Sequence, residues 1–317
     1  MKFMKRHCFV FILLLSLASY SQQSRQDVFI DDIDRFWVAY DSVQTTTDTI
    51  KQIQYMKTLY TDKGTDGLKL FMKMRKYTPE LWARVIRQYP KFWKSIRPNT
   101  LIVKQKQAEI LVAVEQFKKI YPDYRYATIY FTVGALRSAG VAEGNTALVG
   151  MELTGGTSSI DVSEFTNKRI EKAFKNQKID NLVAVTVHEY VHTQQKEEGK
   201  TLLGQSIYEG ACEFITELVL GTTLAHSYIL YGKTHEAELK VAFKKEMFNA
   251  DYSQWIYNGA TAKEMGDLGY FMGYTICKSY YDHAADKKKA IKDIIELSYS
   301  DGEKVEQFLE ASRYYKE

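Results

Sequence analysis

The sequence is poor in the residues that would set it apart from ordinary globular proteins. Four prolines and 18 glycines in 317 residues exclude collagen-like and proline-rich disordered classes. Three cysteines cannot build a disulfide framework. Neither sign of charge dominates: 43 basic residues face 39 acidic ones, for a formal charge of +4. That excess is too small and too dispersed for a nucleic-acid surface, so no nucleic-acid partner is expected. Beyond the first twenty residues no run is long and apolar enough to cross a bilayer. What remains is 45% hydrophobic, with 23 tyrosines and 16 phenylalanines, enough for a packed core in one large domain or two modest ones.

The first residues read as an export signal. Lys2, Lys5 and Arg6 precede the apolar run 8–18, and Ser19, Tyr20 and Ser21 follow with small residues spaced for a signal peptidase. Cleavage after residue 21 would release the protein to a periplasmic or extracellular location and leave no stable transmembrane segment; an uncleaved anchor is the alternative. Losing Lys2, Lys5 and Arg6 takes the formal charge from +4 to +1. Cys8 stands at the start of the apolar run and not after it, so no lipid attachment is expected. Of the two later cysteines, Cys212 and Cys277, buried free thiols are the simplest reading and a mutual disulfide the other.

The chain divides by texture. Residues 22–122 read as helical, with apolar residues at helical spacing over 28–40 and over 101–120. Thr78-Pro79-Glu80 has the form of a helix start, and Trp82, Tyr89, Phe92 and Trp93 read as core. Residues 126–133 and 146–153 are rich in β-branched and aromatic residues and read as strands, with a glycine-containing loop at 134–145 between them. From about 162 onward the pattern is helical again. The expected fold class is α+β, mostly helical with a small mixed sheet. The expected division is a helical region at 22–122 and a second domain at 123–317.

Chemistry concentrates in His188-Glu189-Tyr190-Val191-His192. On a helix, histidines four apart share a face and can bind one Zn²⁺, with the intervening glutamate placed to take a proton from a water that the metal activates. Val183, Val185 and Val187 favour a strand, in which the two imidazoles would stand about 13 Å apart and could not share an ion. A catalytic zinc needs a third protein ligand. Glu209, Glu213 and Glu217 recur at intervals of four on the next helical segment, and Glu209 is the expected ligand. Gly269 and Gly273 predict a close helix contact, and Tyr270 and Tyr274 share a face beside them. His226, His235 and His283 have no ligand spacing and read as surface or capping residues. Cys212 is expected on a different face of its helix from the glutamates.

H-E-x-x-H followed by E-G-x-x-E on the next helix resembles the gluzincin metallopeptidases, a clan that includes the thermolysin-like and aminopeptidase families. The resemblance implies a zincin-like catalytic domain with His188, His192 and Glu209 on zinc and Glu189 as general base. It implies that Glu213 supports a zinc histidine, with exchanged roles for Glu209 and Glu213 as the alternative. It implies an oxyanion-stabilising tyrosine, Tyr270 or else Tyr274, and an edge strand lining the cleft, for which residues 146–153 are the candidate. Gly150-Met151-Glu152 resembles the aminopeptidase strand whose glutamate captures a substrate amine, which would make Glu152 substrate-binding. Three segments in order, residues 188–195, 209–214 and 268–274, are also similar to small predicted zinc proteases and to GldB-like gliding-motility proteins. The expected function is an exported zinc peptidase acting on a peptide or protein substrate. The competing reading is a non-catalytic, zinc-holding envelope protein of the gliding type.

Overall fold

The computed structural model describes residues 27–316 apart from 167, 176 and 260; the expected export signal lies outside the described residues. The chain opens with β1 (Val28–Phe29) and α1 (Asp31–Val43). α2 (Thr49–Tyr55) follows and runs on as a π-helical turn, Met56–Thr61. Then come α3 (Asp66–Arg75), α4 (Pro79–Gln88), α5 (Pro90–Leu101) and α6 (Val103–Ile120). The sheet is completed by β2 (Thr128–Thr132), β3 (Gly140–Glu143) and β4 (Thr146–Gly150). The rest is helical: α7 (Met151–Thr154), α8 (Arg169–Lys175), α9 (Leu182–His192), α10 (Leu202–Leu220), α11 (Ser227–Glu246), α12 (Leu268–His283), α13 (Lys287–Ile295) and α14 (Gly302–Ser312). The molecule is thus mostly helical with one small mixed sheet, as expected. No helix among the described residues is long and apolar enough to cross a membrane.

The strand order is β1-β2-β4-β3. β1 and β4 pair parallel to β2, and β3 pairs antiparallel to β4. Three expectations change here. Residues 28–29 are strand and not the start of a helix, because Val28 and Phe29 register against Ile129 and Tyr130 and Phe29 stacks on Tyr130 at 4.5 Å. The stretch 134–145 contains β3, which propensity misses because Gly140-Val141-Ala142-Glu143 is short and half polar. The segment 146–153 is strand only to Gly150 and lies inside the sheet, so the edge strand is β3. Ala147, Leu148 and Val149 are all buried, as befits a strand covered on both faces.

The expected boundary at 122 does not divide the core. One cluster of buried side chains runs from Val28 to Tyr314, and β1 carries the N-terminal region into the sheet. Thr78 caps α4 by accepting from Leu81 N at 3.2 Å, and Pro79 opens it. Trp82, Phe92 and Trp93 are fully buried, in edge-on and tilted ring contacts with Tyr60, Phe36 and one another. Tyr60 Oη donates to Val133 O at 2.8 Å, and Trp82 Nε1 donates to Gly134 O at 2.8 Å. The N-terminal helices therefore hold the end of β2 directly.

In the second half, α10 and α12 cross backbone to backbone. A Cβ on Gly210 would stand 2.1 Å from Gly273 C, and one on Gly273 would stand 1.6 Å from Ser206 O. The glycine pair expected to admit a neighbouring helix does so, and the neighbour is α10. Neither obstacle is a flexible side chain, so a methyl can be accepted only by moving a helix. Gly273→Ala should destabilise the protein by about 3 kcal/mol, at the upper end for overpacking, and lower Tm by roughly 6 °C or more. Thermal denaturation checks this, and an unchanged Tm would refute the crossing.

Candidate metal centre

α9 runs between the sheet and α10. It is a helix despite its valines because it is buried nearly all round: Leu182, Val183, Val187 and Val191 pack into the core, and tertiary contact overrides propensity. His188 and His192 therefore stand one turn apart. Their Nε2 atoms approach to 3.0 Å, and Glu209 Oε2 from α10 lies 3.3 Å from the first and 3.2 Å from the second. Ligand atoms around a tetrahedral ion with bonds of 2.0–2.1 Å stand about 3.3 Å apart. The three atoms thus form one face of a tetrahedron of the size zinc requires, and two imidazoles with a carboxylate are a donor set suited to it.

The far side of each imidazole is also occupied. His192 Nδ1 lies 2.7 Å from Gln195 Oε1. The Gln195 amide nitrogen donates to Tyr208 O and Tyr299 Oη, both at 2.9 Å, so its oxygen must accept. His192 therefore carries its proton on Nδ1 and presents the Nε2 lone pair. His188 Nδ1 lies 3.0 Å from Glu213 Oε1. That approach is off the ring N–H direction and is a charge contact, since the buried nitrogen has no aligned partner. Glu213 also accepts from His226 Nδ1 at 2.9 Å and from Tyr228 Oη at 2.7 Å. Glu209 thus faces both Nε2 atoms and Glu213 faces the back of His188.

Two expectations fail around this network. His226 is not a surface residue; it occupies the N-cap position of α11, without a side-chain cap bond, where it is buried and bonded to Glu213. No motif marks it, because it reaches the site from a helix start and not from a shared face. Cys212 does not turn away: its Sγ lies 3.3 Å from His192 Nδ1 and 3.4 Å from Gln195 Oε1, and one atom from each of His188, His192 and Cys212 falls within 4.8 Å of the others. The thiol meets His192 at Nδ1, away from the point where the Nε2 atoms and Glu209 converge. Both Cys212 and Cys277 are buried free thiols, and burial pushes both thiol pKa values up.

The electrostatics are those of a site short of positive charge. Burial raises the carboxyl pKa of Glu209 and Glu213, but the histidines reverse this and hold both well below the usual carboxylate range. Burial disfavours a charged His188, yet the same two carboxylates raise its pKa well above that of a free imidazole. Metal uptake at these atoms would compete with a proton on His188. Glu189 is pushed up by burial, against the pull of His188 and His192. Its carboxylate lies across Gly140 of the edge strand, and a Cβ there would stand 2.2 Å from Glu189 Oε1.

The two tyrosines on α12 part company. Tyr270 stacks over His188 with centroids 6.1 Å apart, and burial raises its pKa, so it stays a neutral donor. Tyr274 is buried and donates to Glu217 Oε1 at 2.8 Å, away from the histidines. Tyr257 was missed. It lies in the irregular segment between α11 and α12, which the sequence pattern suggests is helical, and donates to Glu209 Oε1 at 2.5 Å. A cleft of about 580 Å³ opens beside His192, lined in part by Arg125, Glu143, Asn145, Lys196 and Tyr208.

Glu152 is not in that cleft. It is fully buried in α7, and its two oxygens accept from Gly134 N at 2.7 Å and Leu136 N at 3.1 Å. The expected role in capturing a substrate amine gives way to bracing the loop that leads into β3. Burial pushes its carboxyl up to about 7. A raised acid pKa leaves stability intact at low pH and removes it as the unfolded chain ionises first. The wild type should therefore lose about 3 kcal/mol relative to Glu152→Gln as pH rises from about 4.5 to about 7. Urea denaturation across that range checks it; a difference between the two proteins that does not vary with pH would overturn the assignment.

Residues 20–316 match the model of the family described as gliding motility protein GldB. No curated protein and no solved structure matches the chain. The match spans the sheet, the three-atom cluster and the α10–α12 crossing alike, and the chain belongs to the GldB family of gliding motility proteins.

Proposed function

We propose that this protein is an exported, envelope-located zinc hydrolase of the gluzincin type, with peptide bonds as its substrate class. What carries the reading is the convergence of His188 Nε2, His192 Nε2 and Glu209 Oε2 within 3.0–3.3 Å of one another, with Glu189 beside them. These three atoms would hold the ion, which supplies Lewis acidity toward a water and a carbonyl oxygen when bound. Glu189 takes the proton of the attacking water and returns it to the leaving amine. Its carboxyl, raised by burial, is tuned toward that exchange. Tyr270, over His188 and with its hydroxyl given no hydrogen bond among the described residues, donates to the oxygen that gains charge. The outer edge of β3 carries no strand partner among the described residues. An extended peptide can add there and bring its carbonyl past Glu189.

The family description supports a second reading, a zinc-holding motility component without turnover. An acid with no ion pair among the described residues, set beside the cluster, distinguishes the two, because a purely structural site has no use for it. The zincin-like fold and the catalytic role stand or fall with the following variants. The mature chain should take up one zinc, and His192→Ala should lose it, as read by metal analysis. Glu189→Gln should keep zinc and lose at least about 100-fold in peptide hydrolysis. Gly140→Val should do the same, because the new side chain displaces the Glu189 carboxylate. Undiminished turnover by Glu189→Gln would sink the mechanism, and a wild type that takes up no zinc would sink the site.

A further inference from the structure

The carboxylate of Glu209 is divided between two tasks. Oε2 faces the two imidazoles, whereas Oε1 accepts from Tyr257 Oη at 2.5 Å and lies 3.5 Å from Gln205 Nε2. The proton positions follow from the surrounding bonds. Gln205 Oε1 accepts from Gly199 N at 2.8 Å, which fixes the direction of the amide. Its nitrogen then donates to Tyr257 Oη at 2.8 Å. The phenol oxygen accepts that bond, so its own proton goes to Glu209.

Tyr257 is unusual for a residue this close to a buried carboxylate. Its side chain is among the exposed large ones, at 59%, and its backbone is left-handed, with φ +59°. A bulky residue reaches that conformation only at some cost. The ring stands edge-on to Tyr270, with centroids 6.3 Å apart. Its hydroxyl is tied down by bonds with Glu209 and Gln205.

We propose that Tyr257 is a positioning residue that keeps Glu209 a one-oxygen ligand. A carboxylate with both oxygens free can bind an ion through either one or both. With Oε1 held by the phenol and the Gln205 amide, Glu209 offers Oε2 alone, and a position on the ion stays open for water and substrate. Without the phenol, Glu209 turns both oxygens inward and closes that position. This inference rests on the metal reading above and adds a residue from a segment outside the H-E-x-x-H and E-G-x-x-E motifs.

The test uses the mature chain loaded with cobalt(II), whose visible absorption weakens as the ligand number rises. Tyr257→Phe keeps the ring and removes only the hydroxyl. It should bind one cobalt per chain, show a loss of visible band intensity, and gain a second carboxylate oxygen in metal-edge X-ray absorption. Peptide turnover should fall about 10-fold or more, the usual loss when the support of a ligand is removed, through kcat and not KM. Tyr252→Phe, a neighbouring ring 6.5 Å away, should leave the spectrum as it was. Wild-type and Tyr257→Phe spectra that coincide would overturn the role of Tyr257 while leaving the metal site standing. A wild type that binds no cobalt would overturn both.

Discussion

The close crossing of α10 and α12 is the constraint on which the rest depends. Gly210 and Gly273 bring the two backbones into contact with no side chain between them. That depth of approach sets the rotation of both helices. On α10, Glu209 immediately precedes the contact and Glu213 follows one turn later, so both carboxylates face α9 and not solvent. On α12, Tyr270 lies one turn before Gly273 and is carried over His188. A looser crossing would let α10 slide by a fraction of a turn and separate Glu209 from the two imidazoles. The glycines give up helix propensity, about 1 kcal/mol each, and the site gains its geometry.

That geometry concentrates charge where water is scarce. Glu209 and Glu213 are nearly or fully inaccessible, and an unpaired buried carboxylate costs several kcal/mol. Hydrogen bonds from Tyr228 and Tyr257 help, but they are neutral donors. His188, its pKa raised by both carboxylates, is the positive partner they share, and His226 adds a hydrogen bond to Glu213. A site compensated by histidine protons is one in which a divalent cation can exchange for protons without rebuilding the surroundings. It follows that metal uptake and protonation compete.

Much of this was legible from spacing. The i, i+4 histidines, the glutamates four apart on the next helix and the paired glycines are each geometric statements about helices, and geometry transfers from sequence to structure once the helix is given. What spacing could not reveal is what arrives from elsewhere. His226 enters from the start of α11, Tyr257 from an irregular segment with a left-handed backbone, and Cys212 from a face that nominal helical rotation sets apart from the glutamates. β3 was invisible because four half-exposed residues carry too little pattern, although Gly140 in it is the residue that makes room for Glu189. Glu152 was misread because a local likeness says nothing about burial. Its surroundings are set by Gly134 and Leu136, sixteen or more positions away.

The same contacts explain why the N-terminal helices are not a detachable cap. The loop from β2 to β3 contains Leu136 at φ +64° and must deliver Gly140 to a defined place under Glu189. From one side, Tyr60 and Trp82 hold the carbonyls of Val133 and Gly134. From the other, Glu152 holds the amides of Gly134 and Leu136. Arg137 reaches the carbonyls of Arg75 and Lys76, and Gly150 N and Thr154 Oγ1 both donate to Ala139 O. These anchors thus come from the first six helices and their connections, from the last residue of β4 and from α7. Removing those helices would free the edge strand, and with it the floor on which the Glu189 carboxylate rests, although none of the described residues before 123 is hydrogen-bonded to the three-atom cluster.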